Sequence, residues 1–149
     1  MSLEKDIHQL VPFTSEHHKA VVNLIYTYNW TVERLKRSLD EVDITLQQFN
    51  ILRILRGSKE PLSTLQIRER MLDKMSDTSR LVDRLIRKGL ARKKTAASDK
   101  RLVDVTITAK GLQLLAKLDK RSKEMDDILS ALTISECKTL NKLLDKLRG

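Results

Sequence analysis

Apolar positions along the chain follow a helical period almost throughout and switch to a period of two once. From Val21 the large or apolar residues Val21, Ile25, Tyr28, Val32, Leu35, Leu39 and Val42 step by alternating four and three. That spacing predicts one long helix with a heptad-like seam. Thr45 with Gln48 has the spacing of a capping box and opens a short helix carrying Phe49, Leu52 and Leu55, which stops at Gly57. After Pro61 a second box, Ser63 with Gln66, opens a helix expected to run to about Leu72. Ser76 can cap a further helix that ends at Lys88–Gly89.

Beyond Gly89 the pattern alternates. Val103, Val105 and Ile107 interleave with Leu102, Asp104 and Thr106, which predicts a strand. The run ARKKT before it is its expected hairpin partner across the loop AASDKR. From Thr108 the helical period returns, with a second seam at Leu115, Leu118, Ser122, Met125, Leu129 and Leu132. Ser135 is expected to start a terminal helix with Cys137, Leu140, Leu144 and Leu147 on one side. Helix, turn, helix, then a two-stranded hairpin is the layout of a winged helix-turn-helix. The fold class expected is therefore mainly α with a small β-hairpin wing, flanked by long N- and C-terminal helices.

The helix from Ser76 to Lys88 divides sharply at 100° per residue. Leu81, Val82, Leu85 and Ile86 gather on the side that should face a core. Ser76, Arg80, Asp83, Arg84 and Arg87 gather on the other. Three arginines on one solvated face, behind a polar N-terminus, suit a DNA major groove, where arginine reads guanine bidentately or clamps phosphate. The plainer alternative is a solvated helix laced by its own ion pairs. At its end, Gly89 fits the left-handed residue that closes a helix.

Charge sharpens the reading. The 149 residues carry a formal net charge of +9, and residues 64–101, with twelve Lys/Arg against five Asp/Glu, hold +7 of it. A basic balance this local points to an anionic partner gripped by one region. The candidate DNA-binding set is Ser63 and Thr64 at the first helix of the motif, then Ser76, Asp77, Thr78 and Ser79 at the start of the second. Arg80, Asp83, Arg84, Arg87 and Lys88 follow along that second helix. Arg92, Lys93, Lys94, Asp99, Lys100 and Arg101 belong to the hairpin. Asp99 lowers the charge of the basic loop, so a geometric role is expected: holding the Arg101 guanidinium extended for a minor groove. An ordinary Asp turn residue is the alternative.

Other chemistry finds little footing. The chain has no P-loop, no G-x-S-x-G, no H-E-x-x-H and no paired cysteines. No catalytic residue, cofactor or metal is expected. His8, Glu16, His17 and His18 form the one cluster that invites a metal, but adjacent histidines on a helix diverge by about 100°. Cys137 reads as a packing residue, and a lone cysteine suits a reducing cytoplasm. No apolar run exceeds three residues, so neither a membrane span nor a secretory signal is expected.

The run SRLVDRLIRKGLAR (79–92), then DKR (99–101), then ITAKG (107–111), resembles the MarR family of bacterial transcription regulators, and the spacing between the pieces matches as well. The resemblance covers essentially the whole chain. It implies a homodimer interlocked by its terminal helices, residues 1–42 and 112–149, with residues 43–111 as the winged helix-turn-helix. It places Arg80, Asp83 and Arg84 on the recognition helix, and Asp99 and Arg101 on the wing. It further implies a sequence-specific regulator on a near-palindromic duplex operator, a repressor released by a small-molecule effector. A winged-helix module for DNA or protein without effector control is the other reading. In that family small anionic aromatic compounds bind between the dimer helices and the winged helix. Tyr26, Trp30 and Phe49 are the candidate pocket here, with plain packing of the aromatics as the alternative.

Overall fold

The computed structural model describes residues 2–95, 99 and 103–149. It divides into two compact units, Met1–Arg37 and Ser38–Gly149. The first holds a short helix α1 (Leu3–Asp6) and most of the long helix α2 (Glu16–Leu39). Lys19 pairs with Glu4 at 2.5 Å, and that ammonium, with a backbone bond, holds the Glu4 carboxyl down at about 2. The Arg34 guanidinium lies 3.6 Å over the Trp30 ring, a cation–π contact.

The second unit begins with a single 3-10 turn, Asp40–Val42, that ends on the left-handed Asp43. Helix α3 (Leu46–Gly57) and helix α4 (Thr64–Arg70) both start with complete capping boxes, Thr45 with Gln48 and Ser63 with Gln66, as expected. Helix α5 (Thr78–Arg87) leads into strand β2 (Ala91–Thr95), and strand β3 (Val103–Ile107) returns antiparallel to it. Lys94 sits opposite Asp104 in that ladder, a favourable cross-strand pair.

A two-residue strand β1 (Leu62–Ser63) adds to the far side of β3, so the sheet has three strands in the order β1-β3-β2 where a two-stranded hairpin was expected. Its register is set by Leu62, buried opposite the fully buried Val105. The core joins this sheet to α3, α4, α5 and α6 (Ala109–Asp119) through Ile51, Leu52, Ile67, Val82, Leu85 and Leu115.

Three expectations need correction. Helix α4 stops at Arg70, with Met71 extended and buried, short of Leu72. The second seam is not one helix: α6 ends at Asp119, and α7 (Ser122–Asp126) and a 3-10 turn (Asp127–Leu129) follow. The break has a visible brace at Arg121, whose guanidinium bonds both Glu124 at 2.8 Å and Glu41 at 3.2 Å. Terminal helix α8 (Ile134–Arg148) starts earlier than Ser135 because Thr133 and Glu136 form a capping box. Cys137 on it is half-buried. No described helix is long and apolar enough to cross a membrane.

Candidate nucleic-acid interface

Helix α5 is built as the sequence pattern requires. Val82 and Leu85 are fully buried, Leu81 and Ile86 pack partly on the core, and Arg80, Arg84 and Arg87 are exposed. The cationic face follows from the buried one, because residues three and four apart share a side.

The helix N-cap is Asp77, and Ser76 does not fill that role: the Asp77 carboxylate accepts the backbone N–H of Arg80 at 3.2 Å. A carboxylate there also faces the positive end of the helix dipole. Thr78 is buried, Ser76 is half-buried, and neither hydroxyl has a hydrogen-bond partner among the described residues. Ser79 is exposed beside the arginines.

At the other end Gly89 (φ 71°) closes a Schellman motif, as expected for it. Its N–H donates to Ile86 at 2.9 Å and the Leu90 N–H donates to Leu85 at 2.9 Å. The turn is clasped from the start of α6: the Thr108 hydroxyl donates to the Gly89 carbonyl at 2.6 Å, and Lys110 donates to the Lys88 carbonyl at 2.9 Å.

Lys88 and Asp83 reach partners on other elements. Lys88 turns back to the Asp43 carbonyl, with the Asp43 carboxylate at 3.4 Å. Asp83 pairs with Lys93 of β2 at 2.6 Å and so ties the helix to the wing strand. The Lys93 ammonium is also the chief reason the Asp83 carboxyl is held below its usual range. That pair should contribute where Asp83 is charged in both states, above about pH 4, and fade as pH falls through its lowered native value. A double-substitution cycle with Asp83→Ala and Lys93→Ala should show a favourable coupling at pH 7 that shrinks at pH 3 by thermal unfolding.

Arg92, Lys93 and Lys94 present an exposed basic run on β2 beside α5. Ser63 and Thr64 are half-buried at the start of α4, with the Ser63 side chain committed to its capping box. The turn before α5 is held by Asn50, which accepts the Leu72 N–H at 2.9 Å, and by Asp73, which accepts the Met75 N–H at 3.0 Å. Asp99 is half-buried, while Lys100 and Arg101 lie outside the described residues. Asn50, Asp43 and Lys110 are positioning residues that the pattern alone does not reveal, since each acts across elements distant in sequence.

The aromatic candidates separate. Tyr26 and Trp30 line a cavity of about 460 Å³ in the first unit, together with Ser2, Asp6, Lys19 and Asn23. Phe49 belongs to the second unit, packed partly on its core with Arg53 over its ring at 5.7 Å.

An exposed arginine face on a helix that follows a short turn, with a basic antiparallel hairpin beside it, defines a winged helix-turn-helix. Residues 42–102, which span the winged helix-turn-helix, match the MarR family model. Similar solved structures agree in fold. A MarR transcription factor from Planctomyces limnophilus is 29% identical, with a TM-score of 0.67 over 90% of this chain and 98% of its own. A mutant of E. coli MarR in complex with operator DNA is 23% identical, with a TM-score of 0.77 over 99% of each chain. BpsR of Bordetella bronchiseptica, whose DNA binding is regulated by 6-hydroxynicotinic acid, is 20% identical, with a TM-score of 0.75 over 88% of this chain and 99% of its own. No curated protein matches the chain.

Proposed function

We propose that this protein is a homodimeric, sequence-specific repressor that binds a near-palindromic duplex operator and is released from it by a small aromatic anion. The observation that carries DNA binding is the exposed Arg80, Arg84 and Arg87 face opposite a fully buried one, beside the basic β2. In this reading α5 enters the major groove, with Ser79 near the backbone and Ser76 turned into the protein. Arg92, Lys93 and Lys94, with Lys100 and Arg101, follow the phosphates and the adjacent minor groove, and Asp99 serves to order Arg101. Lys88, Asp83 and Thr78 act from within the protein as supports. Binding to random duplex should fall steeply with salt, with a log–log slope of several charges. A slope near zero would remove the DNA-binding reading.

Dimerisation through residues 1–42 and 112–149 is supported by large apolar residues left exposed on α2 and α8, among them Val21, Ile25, Tyr28, Ile134, Leu143 and Leu147. Two copies would set half-sites about one helical turn apart, roughly 34 Å. Sedimentation at micromolar concentration should give a dimer; a monomer would contradict this part.

For the effector, the cavity beside Tyr26 and Trp30 offers aromatic walls and the Lys19 ammonium, which also pairs with Glu4, and BpsR is a relative whose DNA binding a small aromatic compound regulates. An aromatic acid such as a hydroxybenzoate should quench Trp30 fluorescence and release bound duplex. Neither change across a panel of such acids would leave a regulator without this effector class. In a reporter assay the protein should lower transcription from a promoter carrying its selected site.

A further inference from the structure

We infer that Asp77 is a positioning residue that sets the base preference of Arg80 by bracing its guanidinium. This rests on the proposed reading of Arg80 as a base-edge contact.

Four consecutive residues, Ser76 to Ser79, are all of small polar types found at or near helix starts, and the chain caps α5 with the one carboxylate among them. That carboxylate does two things. One oxygen accepts the Arg80 backbone N–H at 3.2 Å. The other lies 3.2 Å from Arg80 Nε. A single side chain therefore grips both ends of Arg80, backbone and guanidinium, and closes a ring around its flexible stem. Serine caps a helix about as well as aspartate; the carboxylate adds its interaction with the helix dipole and, through its second oxygen, the ion pair with Arg80. It stands at the mouth of a basic surface, where it repels phosphate.

The choice of Nε matters chemically. Guanidinium has five N–H donors, one on Nε and four on the two terminal nitrogens. An ion pair made through Nε leaves the two terminal nitrogens as the donors that can meet guanine O6 and N7 bidentately. The Arg80 side chain is 81% exposed despite this ion pair, so the fork is braced and still accessible. Without the brace the guanidinium would swing among rotamers and divide its time between base and phosphate. Among the described residues Arg84 has no carboxylate partner at ion-pair distance, which makes it an internal control.

The test uses the full-length protein, the best duplex from random-pool selection, and single-base variants of that duplex at constant salt. The variants are Arg80→Ala, Asp77→Ser, Asp77→Asn and the double Asp77→Ser/Arg80→Ala, each first checked for unchanged helix content and melting. Arg80→Ala should lower discrimination about tenfold at one base pair. Asp77→Ser should lower it about two- to fivefold at that same pair, the range of an exposed ion pair. It should leave the Arg84 pair unmoved and raise affinity for random duplex. Asp77→Asn, a neutral acceptor, should fall between. The double substitution should discriminate no worse than Arg80→Ala.

If Asp77 merely repels phosphate, Asp77→Ser tightens specific and random duplex alike and every ratio stays fixed, which overturns the inference. If Arg80→Ala leaves all ratios fixed, the reading of Arg80 fails and takes the inference with it. The two failures differ in which variant is silent.

Discussion

Arg84→Ala should weaken binding to the best duplex by about 1–3 kcal/mol in each half-site and flatten the preference at one base pair. Arg84 sits mid-helix on the exposed side of α5, one turn after Arg80 and directly behind the fully buried Leu85. Its partner in the complex is therefore something outside the domain. A phosphate contact and a base contact differ in signature. Losing a phosphate contact weakens all sequences uniformly and lowers the salt slope by about one charge. Losing a base contact compresses the spread between best and mismatched duplexes. Arg84→Ala should show the second pattern, and Lys94→Ala, on the exposed strand β2, the first. In a dimer both half-sites lose the contact, so the effect on the whole operator should approach twice that on a half-site. Competition titrations against single-base variants would measure it; a uniform loss at Arg84 would move this residue to the phosphate group.

Gly111→Ala should destabilise the fold by about 1–3 kcal/mol, although alanine is the better helix former by about 1 kcal/mol. Gly111 lies in the first turn of α6, and its N–H donates to the capping Thr108 hydroxyl at 3.1 Å. A Cβ there would sit 2.4 Å from the Leu90 carbonyl oxygen and 2.7 Å from Ile107 Cγ1. Neither neighbour yields easily. The Leu90 carbonyl accepts the Thr108 N–H at 3.1 Å and the Leu90 N–H completes the Schellman bond to Leu85. Ile107 ends the central strand, paired with Ala91. Relief of the clash must loosen the joint that fixes where α5 ends and the wing begins. Gly57→Ala is the matched control, because nothing lies within 4 Å of its added methyl. That change should be neutral or stabilise by a few tenths to 1 kcal/mol. At about 2–4 °C per kcal/mol for a chain of this size, the two melting temperatures should move in opposite directions. A rise for Gly111→Ala would show that helix and strand are less tightly joined.

Much of this was legible in the sequence, for reasons that are local. The cationic face of α5 follows from a period that four buried or half-buried apolar residues impose. Gly89 could be read because a left-handed helix end has few other solutions, and the two early capping boxes because each needs only residues three apart. What escaped depends on distance. Strand β1 is two residues long, too short for any period, and exists because β3 is there to pair with. The pairs Asp83–Lys93 and Lys88–Asp43, and the bond from Asn50 to the turn, join elements that the chain brings together only on folding. The N-cap of α5 is ambiguous in the sequence for the opposite reason. Ser76, Asp77, Thr78 and Ser79 are all plausible near a helix start, so residue type could not choose among them. The break at Arg121 was hidden by a seam that keeps its spacing straight through it.

The most direct measurement is selection of duplexes from a random pool by the purified protein, followed by sequencing. Enrichment should converge on a near-palindrome with half-sites about one helical turn apart. Repeating it with Arg84→Ala should erase the preference at one position in each half. Recovery of unselected sequence at every salt concentration, with binding set by charge alone, would contradict sequence-specific recognition by α5.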